Sequence, residues 1–113
     1  MINELSYVPW SNVYSAQRAI HKWANETFPG RDPVASLTKL VMEEIPELLQ
    51  HKKQHGTDHI GEELADCFIL LLDLAAIWNV DLPVAIRNKM YKNASRQWAK
   101  DHATGLYNHV EKP

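Results

Sequence analysis

Apolar residues recur every three or four positions through most of the chain, which is the spacing of amphipathic helices. The first such stripe begins at Val13 and predicts a helix from about Ser11 to Thr27, after an irregular start. Turn-forming residues at 28–31 end this helix. Because no run alternates between apolar and polar residues as a half-buried strand would, the pattern predicts an all-α fold.

A second helix is predicted from Asp32 toward Gly56. Asp32 is a suitable cap, Pro33 suits the first helical position, and Gly56 is a natural terminator. Pro46 interrupts the pattern, because it has no N–H to donate to the carbonyl one turn earlier, and the helix should kink or divide there. The fold either tolerates this proline as an accident, or uses it to re-aim Glu47.

The third predicted helix starts at Thr57 or Asp58 and runs to about Trp78. It is apolar on nearly every side, which is typical of a central helix that is covered all round. A short connection follows, and a fourth helix is predicted from near Leu82. Beyond about His102 no period is visible, so the end of the chain is expected to be irregular.

These elements predict one domain over residues 1–113, with irregular ends at about 1–10 and 103–113. The expected architecture is an all-α bundle of four main helices. A chain of 113 residues buries only a modest core, so we expect self-association to complete the fold.

Composition narrows the class of protein. Hydrophobic residues make up 45% of the chain and charged residues 23%, as in folded globular proteins. The net charge of −2 and the lack of a basic block argue against a nucleic-acid partner. The longest oily run, 67–78, is shorter than the roughly 20 residues of a membrane span, so no membrane partner is expected either. Cys67 is the single cysteine, which fits a reducing cytoplasmic location.

Two groups of carboxylates interrupt the apolar stretches of the second and third helices. Residues three apart share a helical face, so Glu44 with Glu47 and Glu63 with Asp66 form one acidic pair on each helix. A turn near Gly56 makes the two helices antiparallel and places the pairs at similar heights. Ionised carboxylates beside apolar residues are costly unless cations neutralise them, so four converging carboxylates predict a cation site.

The ligand atoms predict the kind of metal. Oxygen ligands without convergent cysteine or histidine favour Mg²⁺ or Mn²⁺ over zinc, and these ions take up substrate phosphates. A ferritin-like two-metal site is disfavoured, because neither pair contains the Glu-x-x-His motif. His51, His55 and His59 have a spacing that suits zinc, but a glycine separates the last two, and a solvated helix end is the favoured interpretation.

The positive end of the third helix offers a purely structural explanation for Glu62 and Glu63. That explanation does not extend to Asp66, which lies further into the helix beside apolar residues. Asp73 follows on a similar face. We expect it either to support the acidic pairs or to hydrogen-bond Lys89 or another basic group.

The fourth helix offers a complementary charge. Lys89, Asn93 and Arg96 are spaced i, i+4 and i+7, which predicts one face. The two cations can hold a polyphosphate over the metal, and the asparagine can orient a carboxylate or phosphate oxygen. An ordinary solvated basic face explains the same residues, and the acidic pairs favour the phosphate interpretation.

In their order along the chain, these motifs resemble those of the MazG-like all-α nucleoside triphosphate pyrophosphohydrolases. The EExxE and ExxD signatures of that family are matched at 43–47 and 63–66. The segments WANETFP at 23–29 and KMYKNASRQW at 89–98 resemble its small single-domain branch, which is common in bacteria and bacteriophages. The resemblance covers about residues 17–98.

The resemblance implies that the protein hydrolyses a (deoxy)nucleoside triphosphate between its α- and β-phosphates, giving the monophosphate and pyrophosphate. The branch suggests a purine such as dATP or dGTP, and a homodimer or homotetramer. By position, Glu44, Glu47, Glu63 and Asp66 would hold Mg²⁺, with Mn²⁺ as the other possibility. Pro46 departs from the family pattern and puts the orientation of Glu47 in doubt.

The resemblance also implies roles for the remaining motif residues. Glu43 would act as the base or orient the attacking water, which makes it a fifth catalytic acid. Trp23 and Phe28 would form a pocket for the base, although both aromatics also fit an ordinary core, and the residues that would bind the triphosphate are Lys89, Asn93 and Arg96. The alternative is a non-catalytic helical module that binds a nucleotide or a protein. It is disfavoured because no liganding acid is missing.

Overall fold

The structure is a computed structural model that describes residues 12–51 and 57–111. The backbone contacts divide the chain into two units, with the boundary between Leu82 and Pro83, and each unit is treated by itself. The prediction of a single domain over the whole chain stays a prediction. The predicted end of the second helix at Gly56 and the predicted cap at Ser11 lie outside the described residues.

The described elements are, in order, α1 Val13–Thr27, α2 Pro33–Lys39, a π-helical turn Leu40–Glu44, α3 Ile45–His51, α4 Thr57–Ile77, α5 Leu82–Ala94, β1 Trp98–Asp101 and β2 Leu106–His109. The described chain is mostly helical, as predicted. Within these ranges no single helix is both long and apolar enough to cross a membrane. His59–Ile77 and Leu82–Ala94 meet that requirement only as a bent pair, by length and composition alone.

Helix α1 is held at both ends by its own sequence. The Asn12 side chain accepts a hydrogen bond from the Ser15 backbone N–H at 3.2 Å, which caps the first turn. At the other end, the Phe28 N–H still donates to the Ala24 carbonyl at 2.8 Å. Gly30 then turns the chain with a φ of +72°, a conformation that favours glycine. The predicted helix is therefore confirmed to within two residues.

The second predicted helix is divided, and Pro46 accounts for the position of the break. Asp32 caps α2 by accepting from the Val34 N–H at 3.0 Å. Before the proline, the Ile45 N–H donates to the Leu40 carbonyl, which closes a wide π-helical turn. Because Pro46 cannot donate the hydrogen bond of a regular helix, the wider turn lets the helix continue in a new register as α3.

The core of the first unit lies where α4 packs against α1 and α2. It consists mainly of small and medium side chains, and no large side chain is fully buried among the described residues. The buried apolar residues are Ala16, Ile20, Ala24, Leu40, Cys67, Leu74 and Ala75. Leu64, Phe68 and Leu71 of α4 are exposed. The prediction that this helix is covered all round is therefore wrong for the single chain.

The second unit confirms one prediction and corrects another. Helix α5 begins at Leu82 as predicted, but a β-hairpin follows in which Trp98 pairs with His109 and Asp101 pairs with Leu106. The predicted irregular end at 103–113 thus contains a strand, although a purely helical pattern was expected. Each strand has four residues, which is too short for alternation to stand out in the sequence.

Candidate metal and nucleotide site

Three of the four predicted metal ligands converge. Glu44 lies at the end of the π-helical turn, and Glu63 and Asp66 lie one turn apart on α4. One carboxylate oxygen from each lies within 4.8 Å of the other two. Mg²⁺ binds oxygen at about 2.0–2.1 Å, so its ligand atoms are at most about 4.2 Å apart. A small contraction of this group, which we call the acidic cluster, therefore gives a set of oxygens that a divalent cation can bridge.

Glu44 gives the clearest indication that the acidic cluster suits a cation. The residue is only 9% exposed. One carboxylate oxygen, Oε1, lies 3.1 Å from the Lys39 ammonium, whereas the buried Oε2 has no hydrogen-bond partner. A buried carboxylate oxygen without a partner is costly and rare in folded proteins. The oxygen ligands of the acidic cluster thus fit Mg²⁺ or Mn²⁺.

Loss of solvent contact and, after it, mutual repulsion raise the pKa of two acids at this site. Loss of solvent contact is the largest cause of the raised pKa of Asp66, and the charges of Glu44 and Glu63 add to it. The pKa of Glu47 is raised by the same causes in the same order, and by a hydrogen bond with Glu63. Glu47 therefore lies beside the acidic cluster but outside its three-oxygen group. The opposing charge of Lys39 does not outweigh these causes.

Lys39 is the cation that the chain does place here. Its ammonium lies 3.0 Å from Glu43 Oε2 and 3.1 Å from Glu44 Oε1. The contact with Glu44 spans five residues, which the π-helical turn favours because its hydrogen bonds also close over five residues. Bonds to Glu43 and then Glu44 raise the pKa of Lys39. Glu43 points toward this lysine and is exposed, so the structure does not bring it into the acidic cluster.

A cavity of about 410 Å³ extends from Lys39 along α1, α2 and α4. Trp23 and Phe28 form one wall, edge to face, with ring centroids 5.4 Å apart and an interplanar angle of 88°. They are 40% and 51% exposed. The alternative prediction, that both aromatics belong to an ordinary buried core, is therefore wrong for the single chain. The cavity is otherwise lined by Ile20, Ala24, Arg31, Asp32, Ala35, Ser36, Ile69, Leu70 and Asp73.

An ion-pair network on the wall of this cavity was only partly anticipated. Arg31 makes two hydrogen bonds of 2.7 Å to the Asp73 carboxylate, and His21 Nδ1 lies 2.9 Å from it. Arg31 also donates to Asn25 at 2.9 Å. Burial alone would raise the pKa of Asp73, but the bonds from Arg31 and then His21 outweigh burial, and the net pKa is lowered. Asp73 thus hydrogen-bonds a basic group, which was one of the two predictions, and that group is Arg31 and not Lys89.

The sequence carried weak signals for the residues that were missed. Lys39 stands four residues before Glu43, which is the spacing of a helical ion pair. Asp73 interrupts an apolar run, so a buried counter-charge had to exist. Its partners, Arg31 and His21, are 42 and 52 residues away in the sequence, and nothing local points to them.

The second unit contains the predicted phosphate-binding residues. Lys89 and Asn93 lie on α5, and the side-chain oxygen of Asn93 is buried without a hydrogen-bond partner. The helix ends at Ala94, and Arg96 lies in the following turn, where its N–H donates to the Asn93 carbonyl at 3.2 Å. The expectation of one helical face is therefore wrong for Arg96. The role of all three in binding triphosphate stays a prediction.

The fold and the site define a class of protein: a mainly helical chain in which a carboxylate cluster for a divalent cation adjoins an aromatic cavity. Residues 33–99 match the MazG nucleotide pyrophosphohydrolase domain, a match that runs through both units. This chain belongs to the MazG nucleotide pyrophosphohydrolase family. The predicted family, fold class and kind of enzyme are confirmed.

Two phage proteins and one solved structure show the similarity. The dATP/dGTP diphosphohydrolase of cyanophage S-2L is 39% identical over 90 residues, which are 80% of this chain and 81% of that protein. The dATP/dGTP diphosphohydrolase of Salmonella phage PMBT28 is 34% identical over 98 residues, or 87% of this chain but 31% of that protein. The chain thus spans about a third of this second relative.

The solved structure is the cyanophage S-2L MazG-like pyrophosphohydrolase bound to dGDP and three catalytic Mn²⁺ ions per active site. It is 35% identical to this chain and superimposes with a TM-score of 0.76. The similarity covers 90% of this chain and 96% of that one. At this identity and coverage, the two chains share one fold over nearly their whole length.

Proposed function

We propose that this enzyme hydrolyses a purine deoxynucleoside triphosphate, dATP or dGTP, to the monophosphate and pyrophosphate, with Mg²⁺ or Mn²⁺ as its cofactor. The convergence of Glu44, Glu63 and Asp66 to within 4.8 Å beside an aromatic cavity carries this proposal. It is supported by relatives described as dATP/dGTP diphosphohydrolases and by a similar structure that contains dGDP and Mn²⁺.

The residues of the acidic cluster would hold the metal, with Glu47 as a further ligand. A divalent ion bound there would neutralise phosphate charge and acidify a water molecule. A water molecule would attack the α-phosphorus, so that a new P–O bond would form, the bond from the α-phosphorus to the bridging oxygen would break, and pyrophosphate would leave. Glu43, exposed beside the cluster, accepts the water's proton or orients the water.

The aromatic cavity would bind the base. Its volume of about 410 Å³ falls within the range of about 300–1,000 Å³ that is usual for small-molecule pockets. Trp23 and Phe28 offer an apolar surface on which a flat base can stack. Lys89, Asn93 and Arg96 would contribute to binding the triphosphate. A purine fits these features, and the relatives that act on dATP and dGTP support that choice over a pyrimidine.

We also propose that the protein is a homodimer or homotetramer. Helices α3 and α4 expose large apolar side chains in the single chain, more than an isolated helical unit usually leaves in water. These include Leu49 at 64% and Phe68 at 58% exposure. A second copy covering this surface would complete the hydrophobic core that the single chain lacks.

The experiment that tests the proposed function is pyrophosphate release from each canonical NTP and dNTP with Mg²⁺ or Mn²⁺. We expect dAMP or dGMP together with pyrophosphate, identified by chromatography, and no product in EDTA. Release of orthophosphate with a nucleoside diphosphate would place the cleaved bond elsewhere. No turnover by a folded protein that still binds nucleotide would favour the alternative, a non-catalytic binding module.

A further inference from the structure

We propose that Lys39 is a phosphate-binding residue that the acidic cluster holds until a metal is bound. This inference rests on the proposed function. Without metal, Lys39 pairs with Glu43 and Glu44, and with metal and nucleotide it leaves these carboxylates and binds the phosphate chain of the substrate. The ammonium group thus exchanges the carboxylates of the protein for the phosphates of the substrate as its ionic partners.

The position of Lys39 supplies the first argument. The lysine lines the aromatic cavity, and its ammonium lies 3.1 Å from Glu44 of the acidic cluster. A nucleotide whose base fills the cavity and whose α-phosphate reaches the cluster would place that phosphate within reach of this side chain. Ammonium groups bind phosphate oxygens through charge-assisted hydrogen bonds. Lys39 is therefore the described cation of the first unit that adjoins both halves of the site.

Charge supplies the second argument. A divalent cation that binds the free oxygen of Glu44 would come to lie close to the ammonium, which contacts the other oxygen of the same carboxylate. Like charges at that separation repel strongly in a partly desolvated site. Loading of the metal therefore weakens the hold of Glu44 on Lys39 and makes the phosphates its better partner.

Freedom to move supplies the third argument. The Lys39 side chain is 51% exposed and ends a flexible four-carbon stem, so its ammonium can reach new partners without unfolding α2. Arg31, the other cation on the cavity wall, contrasts with it. Arg31 is 13% exposed and is fixed by two hydrogen bonds to Asp73. Of these two residues, Lys39 is the one that can change partners.

The proposal predicts effects of opposite sign on the two ligands. In the nucleotide-free protein Lys39 competes with the metal, so Lys39→Met should tighten Mn²⁺ binding, by about three- to tenfold. The same variant should weaken nucleotide binding by about 10- to 100-fold, which corresponds to one lost charge-assisted hydrogen bond. A lysine that only stabilises the helix surface predicts neither change, because exposed ion pairs contribute little.

The test is an Mn²⁺ titration of the nucleotide-free protein, followed by the KM for dGTP and dATP at saturating Mn²⁺. Lys39→Arg should restore Mn²⁺ binding to the wild-type value and recover part of the nucleotide affinity, because it keeps the charge. Lys100→Met, an exposed lysine of β1, is the matched control and should change neither quantity. Circular dichroism melts check that each variant is folded.

Two results would overturn the proposal. If Lys39→Met changed neither the Mn²⁺ affinity nor the KM for the nucleotide, the lysine would only form a surface ion pair. If the variant bound both ligands more weakly, the lysine would only position Glu44. The Mn²⁺ titration needs no turnover. If the wild-type protein releases no pyrophosphate, the proposed function fails, while the competition between Lys39 and the metal is still decided by the titration.

Discussion

Asp66 and Asp73 lie about two turns apart on the same helix, α4, and meet opposite electrostatic surroundings. Asp66 stands among other carboxylates, and loss of solvent contact together with their charges raises its pKa. Asp73 is buried, whereas the Asp66 residue is exposed, yet Arg31 and His21 bind Asp73, and its pKa is lowered. Burial alone would have raised both values, so the difference arises from the partners that the chain provides.

The comparison separates a carboxylate that is paired within the chain from one that we propose as a metal ligand. Around Asp73 every strong interaction is internal: both oxygens accept hydrogen bonds from Arg31, and the anion is matched by cations of the chain. Around Asp66 the described counter-charge is Lys39, which reaches Glu43 and Glu44 instead. The described cations thus compensate the charge of Asp66 less than that of Asp73, which supports the proposal that Asp66 is a metal ligand.

The largest effect is expected from neutralising the acidic cluster. Glu63→Gln and Asp66→Asn should each lower kcat/KM for the purine substrate by about a thousandfold, because metal-assisted hydrolysis needs these ligands. Without metal, neither variant should be less stable than the wild type, since each removes a repelling charge. Pyrophosphate release measures the first effect and thermal melting in EDTA the second.

Glu62→Gln is the matched control, because Glu62 precedes Glu63 on the same helix and stands outside the three-oxygen group. It should retain most of the activity. Added Mn²⁺ should raise the melting temperature of the wild type and of Glu62→Gln but not that of Asp66→Asn, because binding to the native state alone stabilises it. Full activity in Asp66→Asn would show that the metal binds elsewhere.

At Asp73, by contrast, substitution is expected to lower the stability of the protein. Asp73→Asn or Arg31→Met should cost about 3 kcal/mol of unfolding free energy, because each leaves one buried charge without its partner. Urea denaturation measures this cost. The double variant should lose much less than the sum of the two single losses, because no unpaired charge remains. Single variants as stable as the wild type would contradict a structural role for this ion pair.

The sequence predicted the parts of the site that depend on local spacing. Glu63 and Asp66 were placed on one face because three residues make nearly one helical turn. Their approach to Glu44 was predicted from the expectation that a turn near Gly56 makes the two helices antiparallel, and the three carboxylates do converge. The break near Pro46 was expected for the same kind of reason, since the missing N–H of proline is a local property.

The remaining features depend on contacts that no local pattern encodes. The partners of Asp73 come from α1 and from the turn before α2, so only the packed fold brings them together. The strand Trp98–Asp101 was hidden because its apolar residues also continued the stripe of α5.

The smallest expected effect concerns stability in acid. It tests directly whether the pKa of Asp73 is lowered in the native protein, in contrast to the raised pKa of Asp66. The ordinary pKa of an aspartate is 3.8, and in the native protein Arg31 and His21 lower the pKa of Asp73 below that value. As pH falls, the unfolded chain therefore takes up a proton at this position before the native protein does. The stabilising contribution of Asp73 is complete above pH 3.8 and is lost as the pH falls through the lower native value.

Urea midpoints between pH 2.5 and 7, about the range in which carboxylates titrate, give the measurement. The stability difference between the wild type and Asp73→Asn should be constant at neutral pH and should shrink only at the acid end. His21→Gln separates the contribution of His21 from that of Arg31, because it should remove part of this shift and leave the two bonds from Arg31. A difference that shrank already near pH 5 would mean that the native carboxyl binds protons more readily than the unfolded one. Asp73 would then resemble Asp66, and the contrast between the two aspartates would fail.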